Sequence, residues 1–341
     1  MRSWLRAALL ALIALAGSGP ATAQSEPGFR AYLAELHGRA LAQGVSARTL
    51  DAVLPTLTYN PRVVALDRDQ PGGPIDSPIP PFAPYRATHV NAERIGGGRT
   101  TYQRLRPRLV EIERRFGVPG KVAIAIYGHE TGYGSFTGDF DLARSLATLA
   151  YEGRRRALFE PELIATLEMI DRGIPRSTLV GSWAGAFGYP QFLPSVYLRL
   201  AVDGDGDGRA EIWRSEADAL ASIANYLENA GWRRGEPWGI AVNVPRSFDR
   251  AAIANRTNAT RCPRVHERHS RWLTMAEWRA RGIVPQGGGW PDDGMMASLL
   301  EPDGPGNTAY LLTNNYRVIL DYNCSNFYAL SVGLLADEIT R

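Results

Sequence analysis

The 341-residue chain has only two cysteines, almost no net charge and, beyond its first two dozen residues, no apolar run that could cross a membrane. Two cysteines cannot staple a disulfide scaffold, so a hydrophobic interior must hold the fold. A composition that is 45% hydrophobic and 21% charged supplies one, over a length that allows two or three domains. Residues 1–23 read as a secretory signal peptide. Arg2 and Arg6 open it, Ala7 to Ala16 form its apolar stretch, and Ala21-Thr22-Ala23 is an A-x-A cleavage site. That stretch is shorter than the roughly 20 residues of a spanning helix. No cysteine follows for lipid attachment, so a soluble, exported monomer is expected. Setting the signal aside leaves 36 basic and 35 acidic side chains, a formal charge of +1 instead of +3. With no Lys/Arg-rich block interleaved with aromatics, nucleic acid is not an expected partner. In an oxidising compartment Cys262 and Cys324 leave two readings, one disulfide or two buried thiols.

What the chain does have is a helix suited to holding an acid. Pro119 fits a helical first turn, Val122 to Ile126 is unbroken apolar sequence, and Gly132 and Gly134 supply the exit. Glu130 falls in the last turn, over Ile126, Tyr127 and Ala123 at helical spacings. Apolar and aromatic surroundings oppose ionisation, so this carboxyl should keep its proton to an unusually high pH, as a general acid must. A capping or salt-bridging carboxylate at a helix end is the plain alternative.

Around this helix, 3.6-residue spacing predicts helices over 29–41, 46–54, 105–116, 142–150, 163–170 and 218–231. Asp69 to Tyr85, with six prolines, predicts an extended linker, and Gly96-Gly97-Gly98 a further break. Past Gly239, alternation in 240–244, 310–312 and 318–322 predicts a small β-rich element, closed by a helix over 330–339. The expected fold is α+β and mostly α. It comprises an N-terminal helical segment and linker (24–104), a helical core (105–238), and the β-rich element with its closing helix (239–341).

Three further stretches carry chemistry. Arg154-Arg155-Arg156 suits an anionic or carbonyl-bearing ligand, or a solvated face. Gly181 to Ser195 alternates small residues with aromatics and includes Gln191, a combination that suits sugar rings and also tight helix packing. Asp203-Gly204-Asp205-Gly206-Asp207-Gly208-Arg209-Ala210-Glu211-Ile212 has acids at loop positions 1, 3 and 5, glycine at 6 and a hydrophobe at 10, the spacing of an EF-hand-like calcium loop. Arg214 stands at position 12 in place of a bidentate acid, so Glu211, Glu216 or Asp218 would have to close the shell. A metal-free acidic turn is the alternative. A calcium ion here would be structural, since the loop offers no nucleophile.

Four segments together resemble the lytic murein transglycosylases of the B type, periplasmic enzymes that cut peptidoglycan glycan strands. They are His129-Glu130-Thr131-Gly132-Tyr133-Gly134, the stretch from Gly185 to Ser195, the Asp-Gly loop and Ala224-Asn225-Tyr226. The resemblance spans essentially everything after residue 23. It implies a lysozyme-like helical core with Glu130 as catalytic acid. It also implies glycan contacts at Arg154, Arg155, Ser182, Gln191, Tyr226, Tyr322, Asn323 and Tyr328. The calcium ligands it implies are Asp203, Asp205, Asp207, the carbonyl of Arg209, and Asp218. No cofactor is implied for the chemistry, and the implied partner is the peptidoglycan strand.

Most glycosidases set two carboxyls across the bond. Here only Asp139 and Asp141 follow Glu130 closely, on a Gly-rich loop. One acid suffices if the N-acetyl group of N-acetylmuramic acid attacks its own anomeric carbon. The resemblance implies that route, ending in a 1,6-anhydro ring, within a cleft walled by Tyr226, Tyr322 and Phe187. A lysozyme-type hydrolase of the same bond and a non-catalytic peptidoglycan-binding protein are the alternatives.

Overall fold

The computed structural model describes residues 26–70, 79–255, 259 and 262–341. The expected signal peptide, and residues 71–78 of the expected linker, lie outside the described residues. Three helices come first: α1 (Glu26–Ala42), α2 (Ala47–Val53) and α3 (Pro61–Arg68). The side chains of Ser46 and Asn60 cap α2 and α3 by accepting the N–H of Thr49 and Arg62. Next, α4 (Phe82–His89) occupies part of the stretch expected to be extended. Its prolines misled the expectation because Pro81 is the N-cap and Pro84 lies in the first turn, where no N–H is required. The break expected at Gly96–Gly98 is also absent, since α5 runs continuously over Ala92–Phe116. These glycines serve close packing. A Cβ on Gly97 would lie 2.8 Å from the Tyr133 ring, and one on Gly98 would lie 2.7 Å from Ile339.

Helix α6 (Gly120–Thr131) is buried from Val122 through Gly128 and stops at Gly132, whose left-handed φ of 58° makes it the C-cap. Strand β1 (Phe140–Asp141) leads into α7 (Leu142–Glu152) and α8 (Arg156–Asp171), and pairs antiparallel with β2 (Val180–Gly181). Helices α9 (Pro194–Leu200) and α10 (Glu216–Asn229) flank the Asp-Gly loop.

The chain then forms β3 (Gly239–Asn243), α11 (Pro263–His266), β4 (Leu273–Thr274), α12 (Met275–Ala280), β5 (Val284–Pro285), β6 (Met296–Leu300) and β7 (Ala309–Leu312). The strands make one antiparallel sheet in the order β4-β6-β7-β3-β5. Residues 318–322, expected as a strand, belong instead to α13 (Asn314–Tyr322). Its cap Thr313 accepts the Asn315 N–H, and burial of Asn315, Tyr316, Ile319 and Leu320 follows helical spacing. The β-branched Val318 and Ile319 gave the false alternation. The last helix, α14 (Asn326–Ile339), starts a turn before Leu330, at Ser325, whose hydroxyl accepts the Tyr328 N–H.

The fold is α+β and mostly helical. One core joins α5, α6, α10, α13 and α14 around Ile124, Ile223 and Ile319. A second packs α1 and α2 onto α7 and α8 around Leu36, Leu146 and Leu163. A third lies against the sheet around Trp278. Cys262 and Cys324 are disulfide-bonded, tying the segment before α11 to the loop between α13 and α14.

Candidate active site

Glu130 ends α6 at the join of several elements. Burial pushes its carboxyl up to about 7, against a weaker pull downward from one hydrogen bond. That bond comes from Tyr328 on α14, whose hydroxyl donates to Glu130 Oε1 at 2.6 Å. Burial and the neighbouring acid raise the Tyr328 phenol, so it stays protonated and remains a donor. Tyr322 on α13 is raised first by burial and then by the Glu130 charge, and Tyr85 on α4 is raised by burial, with Ser331 and Arg94 opposing and Glu130 adding least. Sequence reasoning missed Tyr85. It lies 45 positions upstream, in a proline-rich stretch that carries no local sign of a site.

The neighbouring His129 fixes the second side of this corner. Its Nδ1 contacts the Ala125 carbonyl at 3.0 Å, and its Nε2 lies 2.7 Å from Ser331 Oγ. Burial lowers its pKa to about 3, so the ring is neutral. Nδ1 therefore carries the proton and donates to the Ala125 carbonyl, leaving Nε2 unprotonated beside Ser331 Oγ. His129 thus ties α6 to the turn of α14 that bears Tyr328.

Among the described residues, no second carboxyl is aimed at Glu130. The influences on Glu130 are desolvation and Tyr328, with no carboxylate among them. Asp141 caps α7 through the Arg144 N–H and pairs with Arg176 at 2.8 Å, while Asp139 is exposed. Glu216 is held by Arg104 at 2.6 and 2.8 Å. The buried Glu162 accepts both the N–H and the hydroxyl of Ser195.

Several expected glycan contacts gather nearby. Tyr226 meets Tyr322 edge-on at 4.8 Å, and the Tyr322 hydroxyl donates to the Pro190 carbonyl at 2.6 Å, beside Gln191. Gln191 Nε2 donates to the carbonyls of Gly188 and Thr137 at 2.9 and 3.1 Å. Ser182 accepts the Ala186 N–H and packs closely on Gly138, so it and Gln191 adjoin one segment. Asn323 is exposed at the end of α13. Arg154 and Arg155 converge elsewhere, on the buried Asp67 of α3. Arg154 Nε donates to its Oδ2 at 2.8 Å, and Arg155 pairs with its other oxygen. Asp67 was not foreseen, since an acid buried by its tertiary partners has no local signature. Phe187, expected as a cleft wall, is fully buried against Tyr197 and Trp213 and cannot face a substrate.

In the Asp-Gly loop the structure gathers Asp203, Asp205 and Asp218, with one oxygen from each within 4.8 Å of the others. Asp207 lies outside that group, and its carboxylate accepts the Arg209 N–H at 2.8 Å. Glu211 is paired with Arg214. Asp218 is 1% exposed and its pKa is raised by desolvation, a condition a divalent cation would relieve. A surface concavity of about 510 Å³, lined by Arg172, Tyr197, Arg209 and Trp213, borders this loop and does not include Glu130.

Residues 28–337 match the family described as the transglycosylase SLT domain. The chain is 29% identical over 314 residues to membrane-bound lytic murein transglycosylase B of Escherichia coli (strain K12), covering 91% of this chain and 78% of that one. Among solved structures it resembles SltB3 from Pseudomonas aeruginosa in complex with NAG-anhNAM-pentapeptide, with a TM-score of 0.81 and 38% identity over 92% of this chain and 79% of the other. It also resembles the Escherichia coli lytic transglycosylase Slt35 in complex with calcium, with a TM-score of 0.72 and 26% identity over 93% of each chain.

Proposed function

The chain belongs to the transglycosylase SLT family, and on that premise we propose that Glu130 alone conducts its lytic cleavage of peptidoglycan, first as acid and then as base. The enzyme is a lyase with a lysozyme-like core. It breaks the β-1,4 bond between N-acetylmuramic acid and N-acetylglucosamine and leaves a 1,6-anhydro end. One observation carries the assignment of Glu130. Its carboxyl is desolvated and bonded by Tyr328, and no second carboxylate among the described residues acts on it.

Protonated Glu130 donates to the glycosidic oxygen as the C1–O bond breaks, while the muramyl N-acetyl oxygen bonds to C1. The carboxylate so formed, held by the Tyr328 hydroxyl, takes the proton of the sugar's 6-hydroxyl. Oxygen 6 then bonds to C1 and the acetamide is restored. The tyrosines at positions 85, 226, 322 and 328 supply aromatic walls that limit water at the second step. With Ser182, Gln191 and Asn323, the last three of them form the glycan-contacting set. Arg154 and Arg155 reach the strand further along, from their anchorage on Asp67.

Calcium fits the cluster of Asp203, Asp205 and Asp218, with the loop's Asp207 and Arg209 carbonyl as further oxygens, and its role there is structural. No helix among the described residues is long and apolar enough to cross a membrane. Together with the signal-like N-terminus, this supports an exported, periplasmic enzyme. The test is Glu130→Gln on purified sacculi, read by mass spectrometry. Loss of anhydro products with strand binding retained is expected. Full-rate release, or reducing ends in place of anhydro rings from the parent enzyme, would defeat this reading.

A further inference from the structure

We propose that Tyr133 is a positioning residue for the acid, its ring seated in a socket formed by Gly97, Gly98 and Gly128 that fixes the last turn of α6. This rests on the reading of Glu130 as the acid. Tyr133 lies three residues beyond Glu130 with φ at 60°, a left-handed conformation that costs a tyrosine energy, directly after Gly132 at 58°. Such strain persists where surroundings impose it. The surroundings are specific. A Cβ on Gly97 would meet Tyr133 Cε2 at 2.8 Å, one on Gly128 would meet Cε1 at 2.5 Å, and one on Gly98 would meet the hydroxyl at 2.8 Å. Glycines from two helices therefore leave room for opposite edges of one ring.

Hydrogen bonds close the arrangement. The Tyr133 hydroxyl donates to the Arg94 carbonyl at 2.6 Å, and Arg94 Nη1 donates to the Gly128 carbonyl at 2.6 Å. The circuit runs from α5 through the ring to the turn of α6 that presents Glu130. Tyr127 meets the ring edge-on at 5.9 Å. Gly128 precedes the acid by two residues and Tyr133 follows it by three, so Glu130 is gripped from both sides along the chain. The first glycine of the run has no part in this, since a Cβ on Gly96 would have nothing within 4 Å.

Gly96 therefore supplies an internal control. Gly96→Ala is expected to turn over soluble glycan strands like the parent. Gly97→Ala is expected to lose about 10²-fold in kcat with KM little changed, because a small displacement of a reacting group is that costly. Its alkaline limb should move to lower pH as water reaches the displaced carboxyl. Tyr133→Ala empties the socket, so adding Gly97→Ala to it should cost nothing more. If Gly97→Ala fails to fold, Tyr133→Phe keeps the ring and removes only the link to Arg94, and it should show the same lower kcat and displaced limb. Equal kcat and equal pH profiles between the variant that folds and Gly96→Ala overturn the proposal, as does a loss confined to thermal stability. Glu130→Gln run alongside separates the two ideas. Full activity there removes the acid assignment, whereas an inactive Glu130→Gln beside an unperturbed socket variant removes only the positioning role.

Discussion

The hydroxyl of Tyr328 donates to Glu130 Oε1 across 198 residues of sequence, at 2.6 Å. A hydrogen bond to a carboxylate favours its charged form, so Tyr328 offsets part of what burial does to the acid. On the proposed route the pair needs both influences, because one carboxyl must give up a proton and later recover one.

Tyr328→Phe should raise the Glu130 pKa above its value of about 7. The alkaline limb of kcat/KM would then move to higher pH. The carboxylate would also lose a charge-assisted bond as it acts as base, so kcat should fall roughly tenfold to a hundredfold. A pH–rate series settles it, and a limb that stays put or moves down contradicts the account.

The raised pKa also sets a pH dependence of stability. Between the ordinary glutamate value of 4.5 and about 7, the unfolded chain releases this proton while the folded chain keeps it. Stability therefore falls as pH rises through that window, and is flat in this term above it. Glu130→Gln removes the effect. The variant should match the parent near pH 4 and exceed it at pH 8 by up to about 3 kcal/mol, the size of that shift. Urea melts at the two pH values give the comparison, and equal gains at both would refute it.

Calcium at millimolar concentration should raise the melting temperature, and chelation should reverse the gain. Binding at a hundred times Kd adds about 2.7 kcal/mol. Asp203→Asn, which weakens one of the three clustered carboxylates, should abolish the response. Glycan cleavage by that variant should persist at temperatures where it stays folded. A melting curve indifferent to calcium in the parent would mark the loop as a metal-free turn.

Replacing Cys262 and Cys324 together by serine opens a link across 62 residues. The expected destabilisation is about 2–4 kcal/mol. Cys324 stands between Asn323 and Ser325, so glycan affinity should weaken as well. Denaturant melts paired with a binding assay measure both, and unchanged affinity would leave the bond a purely structural role.

Much of this was legible in the sequence because it is local. The apolar run ahead of Glu130 and the glycine after it specified a buried helix and its end, and with them the desolvation of the acid. What was hidden depends on distant partners. Tyr85 reaches the site from a helix that its prolines disguised. Arg154 and Arg155 are aimed by Asp67, more than eighty residues earlier. Phe187 carried the aromatic and small-residue context of a cleft, yet its neighbours bury it. Gly97 and Gly98 read as punctuation in the sequence because Tyr133, whose ring they accommodate, lies about 35 residues downstream.

Helix α14, the last element of the chain, lies against both α5 and α6 and delivers Tyr328 to the acid. A polypeptide emerging N-terminus first thus exposes its proton donor long before the partner that tunes it arrives. Glu130 acquires this hydrogen-bond partner only once α14 has docked on the middle of the chain. A chain that stops short of α14 would carry the carboxyl without the hydroxyl that favours its charged form.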